Sequence, residues 1–225
     1  WLKIWNKIET ETLLSHRTII DDSFAYCATA YYSPKNRYRI EYWGQRNDFD
    51  RIDTGCARAC YKEQKSTNGL SFLEIETQSG YADVNQAVAA GILEGSLTWM
   101  AIYAQWKNTI ESFCEREEKF CKWLRQIILR NKNNILSITK RKHHSSHYQH
   151  QIMLFYQQLE GIELGFKKGV KRARKDFEIP STDFLLLNAR VDIEDLIVYY
   201  NKYVEEDEKN FVDITESAEK MIIKL

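Results

Sequence analysis

One apolar stripe constrains this chain more than any other feature. Tyr148, Ile152, Phe155, Leu159, Ile162, Phe166, Val170, Ala173 and Phe177 recur at steps of 4, 3, 4, 3, 4, 4, 3 and 4. Those steps track the 3.6-residue turn, so the segment predicts one amphipathic helix of roughly 30 residues ended by Pro180. A coiled coil is the rival reading, but so many aromatics on one stripe suit a globular core better. The rest of the composition agrees. Only 2 Pro and 9 Gly occur in 225 residues, so long uninterrupted elements are expected. Basic and acidic residues balance at 32 each, which argues against a nucleic-acid binder. No window approaches the ~18 consecutive apolar residues of a membrane span. The chain opens on Trp1 and closes at Leu225 after an acidic, poorly patterned stretch, so both ends read as cut.

Residues 1–20 carry no clear pattern. Phe24–Tyr32 and Tyr38–Trp43 are rich in strand formers around Ser33-Pro34-Lys35-Asn36, which predicts a hairpin with a four-residue loop. Asp50–Lys65 reads as a short helix. Asn68-Gly69 turns into Leu70–Thr77, whose apolar residues on both faces predict an inner strand of a covered sheet. From Tyr81 to Ile110 a second helical stripe holds Val84, Val88, Ile92, Trp99, Ile102, Trp106 and Ile110. Trp99 and Trp106 are expected inside. Ala87, Ala89, Ala90, Gly91 and Gly95 in the same stretch allow close approach of a neighbouring backbone, at ~1 kcal/mol of helix propensity per Gly. Phe120–Ile128 reads as a helix ending in polar Asn131–Asn134, Phe184–Ala189 as a short strand, and Asp192–Tyr203 as a helix with acidic residues in its first turn. The fold class is helix-rich α+β. No repeat or flexible linker divides residues 1–225, which read as a single piece.

Few residues carry obvious chemistry. Five cysteines, Cys27, Cys56, Cys60, Cys114 and Cys121, leave at least one unpaired within the chain. Cys56 and Cys60 lie beside Ala57 and Ala59 and read as small buried residues. Cys114 and Cys121 would stand ~10.5 Å apart on a continuous helix. A bridge between them requires a break within Glu115–Phe120. His143, His144, His147 and His150 cluster without a carboxylate or cysteine among them, so an exposed polar turn is a better reading than a metal site. The basic run Lys167–Lys175 reads as the solvated face of a helix, with contact to anionic lipid or phosphate as the rival. Glu94 sits in an apolar helix, where partial exposure is the commoner outcome. No phosphate loop, nucleophile elbow or zinc-protease motif occurs.

Several segments, in order, resemble the phospholipase B-like family. They are Leu73-Glu74-Ile75, Gln86-Ala87-Val88-Ala89-Ala90-Gly91, Glu94-Gly95, Leu97-Thr98 and Trp106-Lys107-Asn108. Phe113-Cys114, Phe120-Cys121, His150-Gln151, Gln158-Leu159-Glu160-Gly161, Phe184–Asn188 and Glu194-Asp195-Leu196 follow. Asn68-Gly69-Leu70 departs from the family's Gly-Trp turn. The resemblance implies an N-terminal-nucleophile hydrolase fold, a four-layer αββα sandwich. In it the strands near residues 24–43 and 70–77 join the sheets, and the helices over 81–110 and 148–177 form outer layers. It also implies a secretory leader, a lysosomal or extracellular destination, and a precursor that cuts itself to expose an N-terminal Cys in a Cys-Ser-Ala-Leu context. That context is absent here. By resemblance this is the N-terminal, pre-nucleophile chain, with no catalytic residue of its own. A companion chain starting with Cys would complete it, and a lipid or amide substrate would be cleaved without cofactor or metal. The family's disulfide in this region falls on Cys114 and Cys121. The competing expectation is a non-catalytic helical module that binds lipid or protein.

Overall fold

A computed structural model of the chain describes residues 25–35, 37–46, 48–64, 70–141 and 146–204. Residues 1–20, Asn68-Gly69, His143 and His144 lie outside these ranges.

The hairpin forms as the sequence predicts. Strand β1 (Ala25–Ser33) pairs antiparallel with β2 (Arg37–Arg46), and Ser33 lies opposite Arg37. The connection is therefore one residue shorter than expected, and Arg37 takes up the tight return with φ 56°. The helix expected over Asp50–Lys65 does not form. Phe49–Arg51 makes one 3-10 turn, and Ala57–Gln64 is strand β3, paired with β1. Its Ala, Arg, Lys, Glu and Gln have good helix propensity, but propensity yields to two-faced burial here. Ala57 and Ala59 meet Ala28, Ala30, Ala89 and Leu93 in one cluster. Cys60 points the other way, into a cluster with Cys27, Phe49 and Ile52. Gly55 makes this turn possible. Its φ is +52°, and a Cβ there would lie 2.5 Å from Thr29 Cγ2 and 2.7 Å from the Ala30 carbonyl oxygen.

Strand β4 (Leu70–Thr77) pairs with β3, giving the order β2-β1-β3-β4. The expected inner strand is an edge strand among the described residues. Its Leu70 and Phe72 are 56% and 44% exposed, so the apolar start of one face is exposed.

The helix expected over 81–110 is two helices. Helix α1 (Asp83–Leu97) and the helix from Trp99 to Cys114 meet at 76°. Thr98 marks the bend: it leaves helical geometry (φ −105°, ψ 13°), and its hydroxyl donates to the Glu94 carbonyl at 2.7 Å. The second helix runs as α2 (Trp99–Trp106), a π-helical stretch Lys107–Glu111 and a last turn Ser112–Cys114. Trp106 is buried as expected, at 7% exposure, while Trp99 is only partly covered. Helix α3 (Glu118–Arg141) runs past the polar Asn131–Asn134 stretch where it was expected to stop. One of those polar residues, Asn131, is itself buried.

Helix α4 (His147–Arg172) starts at a capping box, Ser146 with Gln149. It ends short of the predicted Phe177. Arg174 adopts φ 53°, and Lys175 N–H reaches back to the Val170 carbonyl at 3.1 Å, a left-handed helix stop built without glycine. The predicted stripe is only partly the buried face. Leu159, Phe166 and Val170 are buried, but Tyr148 and Phe155 are exposed. Gly161, Gly165 and Gly169 take up the rest of the contact. Gly161 meets Val88 and Gly91, Gly165 meets Ile92 and Gly169 meets Ser96 of α1, so the two backbones touch. The strand expected at Phe184–Ala189 is helix α5 (Asp183–Asn188), because Phe184 and Leu186 drop together into a helical core. Helix α6 (Ile193–Tyr203) follows as predicted, with Glu194 and Asp195 in its first turn.

The class is α+β. Helix α1 packs on one face of the small antiparallel sheet, α4 packs along α1 with its C-terminal end beside β2, and α2, α3, α5 and α6 build a second core against α4. Among the described residues no single helix is long and apolar enough to cross a membrane.

Candidate functional site

The cysteines divide by fold position. Cys114 ends the α2 extension and Cys121 lies in the first turn of α3, with Arg116 and Glu117 turning between the helices. That break brings their Cα atoms to 5.6 Å, and they form a disulfide. Cys27 and Cys60 face each other across β1 and β3 and form a second. Sequence spacing could not have paired them, because their registry depends on β3 being a strand. Cys56 is buried and free, and burial pushes its thiol up to about 11. It stays protonated near neutrality and is a poor nucleophile.

A buried polar knot joins three helices. Asp183, fully buried at the start of α5, accepts Arg125 Nε at 2.7 Å and Arg125 Nη2 at 2.8 Å. The same carboxylate accepts the Trp106 indole N–H at 2.8 Å. This fork-to-carboxylate geometry fixes α2, α3 and α5 together. Nothing in the sequence links residues 58 and 77 positions apart.

Glu94 is half-buried at the edge of the α1–α4 contact. Burial raises its carboxyl above the usual range, and a hydrogen bond from Gln158 Nε2 at 3.4 Å partly offsets that. The folded chain therefore holds this proton more tightly than the unfolded chain. Stability from this group rises as pH falls through the folded pKa, and is lost above it. Glu94→Gln is expected to raise the melting temperature at pH ~7, by an amount that shrinks toward the ordinary carboxylate pKa of about 4.3. Equal shifts in thermal scans at both ends of that range would contradict it.

Of the four clustered histidines, His147 and His150 fall within the described residues. His150 Nε2 lies 2.9 Å from Asp83 Oδ2, tying the starts of α4 and α1. Among the described residues no group of three His, Cys, Asp or Glu is placed to hold an ion.

The far face of the sheet is a polar and aromatic plate. Arg58 Nε donates to Glu76 Oε2 at 2.7 Å, Arg58 Nη1 donates to the Phe49 carbonyl at 3.1 Å, and the guanidinium stacks 4.5 Å from the Phe49 ring. Thr29 donates to the Asp53 carbonyl at 2.6 Å and accepts the Trp43 indole N–H at 2.9 Å. Tyr31 donates to Asp53 Oδ2 at 2.7 Å. These bonds pin the 48–56 loop across part of the face, while Leu70 and Phe72 at the β4 end stay exposed.

The segments singled out in the sequence meet in space. Thr77 donates to Gln86 Oε1 at 2.8 Å and Gln86 Nε2 to the Tyr81 carbonyl at 2.7 Å, joining the end of β4 to α1. Gly91 and Gly95 meet the Gln158–Phe166 stretch of α4. Trp106 meets Asp183 next to Phe184–Asn188. The phospholipase B family profile matches residues 57–225. The chain belongs to the phospholipase B-like family. Over 183 residues, 79% of the chain, it is 51% identical to lamina ancestor, a phospholipase B-like protein of Drosophila melanogaster. Over 137 residues, 60% of the chain, it is 34% identical to phospholipase B-like 2 of Homo sapiens. Over 108 residues, 48% of the chain, it is 34% identical to phospholipase B-like 3 of Caenorhabditis elegans. These matches cover 28%, 23% and 19% of the three relatives, so the chain spans about a quarter of the phospholipase B-like proteins it matches, or less. The segments that carry the likeness are packing residues of β4, α1, α4 and α5.

Proposed function

We propose that this chain is the N-terminal part of a self-processed phospholipase B-like hydrolase. It acts as one single-piece scaffold within a two-chain domain of the N-terminal-nucleophile type, a four-layer αββα sandwich. The observation that carries the reading is the sheet with helices on one face and an incompletely covered plate on the other. A second sheet laid on that plate would bury Phe72 and Leu70 and use the registry fixed by Arg58 and Thr29. Family membership and the names of the relatives support a hydrolase of lipid acyl esters, with amides as the alternative bond.

The nucleophile is a Cys at the start of the companion chain. Its thiolate attacks the substrate carbonyl, and its own α-amino group, with an ordinary pKa near ~8, takes the thiol proton. Collapse of the tetrahedral intermediate expels the alcohol or amine and leaves an acyl-thioester. Water then releases the acid and restores the thiol. The residues of this chain position strands and helices and take no part in bond making. A secretory route to the lysosome or the cell exterior fits two disulfides in one small chain, which the reducing cytosol disfavours.

N-terminal sequencing and intact mass of the purified full-length product test the proposal. A second polypeptide beginning with Cys is expected. Its Cys→Ala variant should leave the precursor uncut and unable to hydrolyse an acyl ester or amide probe. A processed, active enzyme whose downstream chain lacks an N-terminal Cys would overturn the mechanism.

A further inference from the structure

The end of α4 and strand β2 flank a shallow, open groove of about 460 Å³. Tyr38, Ile40 and Tyr42 form one wall, and Lys168, Lys171 and Arg172 form the other. All three cations are exposed, and among the described residues none is ion-paired. The neighbouring Lys167 is different: it is bound to Glu163, which also accepts the Ser181 hydroxyl at 2.6 Å, so it is not available to the groove. Arg39 also borders the groove, but its guanidinium is paired with Glu41 at 3.1 Å and stacked on the Tyr31 ring.

The spacing of the three cations is unfavourable without a counter-charge. Lys168 stands three residues from Lys171 and four from Arg172, so like charges are neighbours on one helix face. The negative end of the helix dipole offsets part of the repulsion. The same field acts against a bound anion, so the three cations must outweigh it. Capping of the Gly169, Val170 and Lys171 carbonyls by the N–H groups of Ala173, Lys175 and Arg174 leaves fewer bare carbonyls facing the ligand. Arg172 is held in place by stacking, with Cζ 4.1 Å from the Tyr42 ring centre. A stacked guanidinium presents its planar donors in a fixed direction, while the two lysines supply mobile point charges. That combination suits a tetrahedral oxyanion.

We infer that the groove between β2 and the end of α4 binds a phosphate-type oxyanion, carried by a lipid headgroup at a membrane surface or free in solution. This inference does not depend on the proposed hydrolysis, since binding alone is measured.

The test uses the full-length protein and two double variants with equal charge change. Lys168→Gln with Lys171→Gln removes groove cations, and Lys119→Gln with Lys122→Gln removes exposed cations at the start of α3. Binding to phosphatidylcholine vesicles containing phosphatidylglycerol should weaken about 30-fold in the groove variant. It should stay unchanged in the α3 variant. If wild type ignores vesicles, but inorganic phosphate at matched ionic strength raises its melting temperature and not that of the groove variant, the site stands with a soluble source. Equal weakening in both double variants overturns it. So does a groove variant that matches wild type toward both vesicles and phosphate.

Discussion

Gly165→Ala is expected to destabilise the fold by about 3 kcal/mol or more. Helix propensity argues the other way, since Ala is favoured over Gly by ~1 kcal/mol in a helix interior. Geometry decides the sign. A Cβ on Gly165 would sit 2.1 Å from the Ile92 carbonyl oxygen and 2.9 Å from Ile92 Cα. Backbone cannot rotate aside as a side chain can, so α1 and α4 must separate. Gly91, Gly95 and Gly161 make the same kind of contact, at 2.1 to 2.4 Å from carbonyl oxygens, so separation at one point loosens the others. Gly80→Ala is the control, with nothing within 4 Å of its added methyl. Its effect should stay within about 0.5 kcal/mol. Chemical denaturation of the full-length protein reads both. A Gly165→Ala protein as stable as wild type would show that the helices do not touch.

The second large effect is at Asp183. Asp183→Asn keeps the shape and removes the charge, leaving Arg125 without its carboxylate. Breaking a buried pair from one side costs about 3–5 kcal/mol. The lower end is expected here, because the Arg125 side chain is 30% exposed and can reach water, while Asp183 is at 0%. Arg125→Leu combined with Asp183→Leu should cost less than Asp183→Asn, because no charge is then stranded. It will not reach zero, since the Trp106 indole N–H also loses its acceptor. The two variants together separate the value of the pair from the cost of orphaning one member. A double variant as damaging as the sum of its singles would mean the groups do not interact.

Much of the helical part was legible because it rests on local periodicity. The start of α4, the extent of α6 and the hairpin strands follow from spacing and turn residues alone. The break before α3 followed once Cys114 and Cys121 were paired. The misread elements share one cause. Residues 57–64 have helical composition, but residues 57–61 are buried on both faces, which only pairing to β1 and β4 and the layers above and below reveal. Residues 184–188 are apolar enough for a strand, yet among the described residues no strand lies beside them, and Phe184 and Leu186 sink into helices instead. The bend at Thr98 depends on one hydroxyl competing with the backbone, a signal too small to see in an apolar run.

The candidate sites divide the same way. Asp183 with Arg125, and Cys27 with Cys60, join residues far apart in the chain, so no spacing rule could propose them. The basic run Lys167–Lys175 was visible and its cations are solvated as read, but only the structure shows β2 lying alongside them.

The sequence alone determined the helix-rich α+β class, the family, and the small residues that permit close helix contact, because these depend on residue type at short range. Tertiary structure decided which backbones touch, which carboxylate is buried, and which sheet face is left incompletely covered. Those depend on contacts between residues tens of positions apart, where local spacing carries no information.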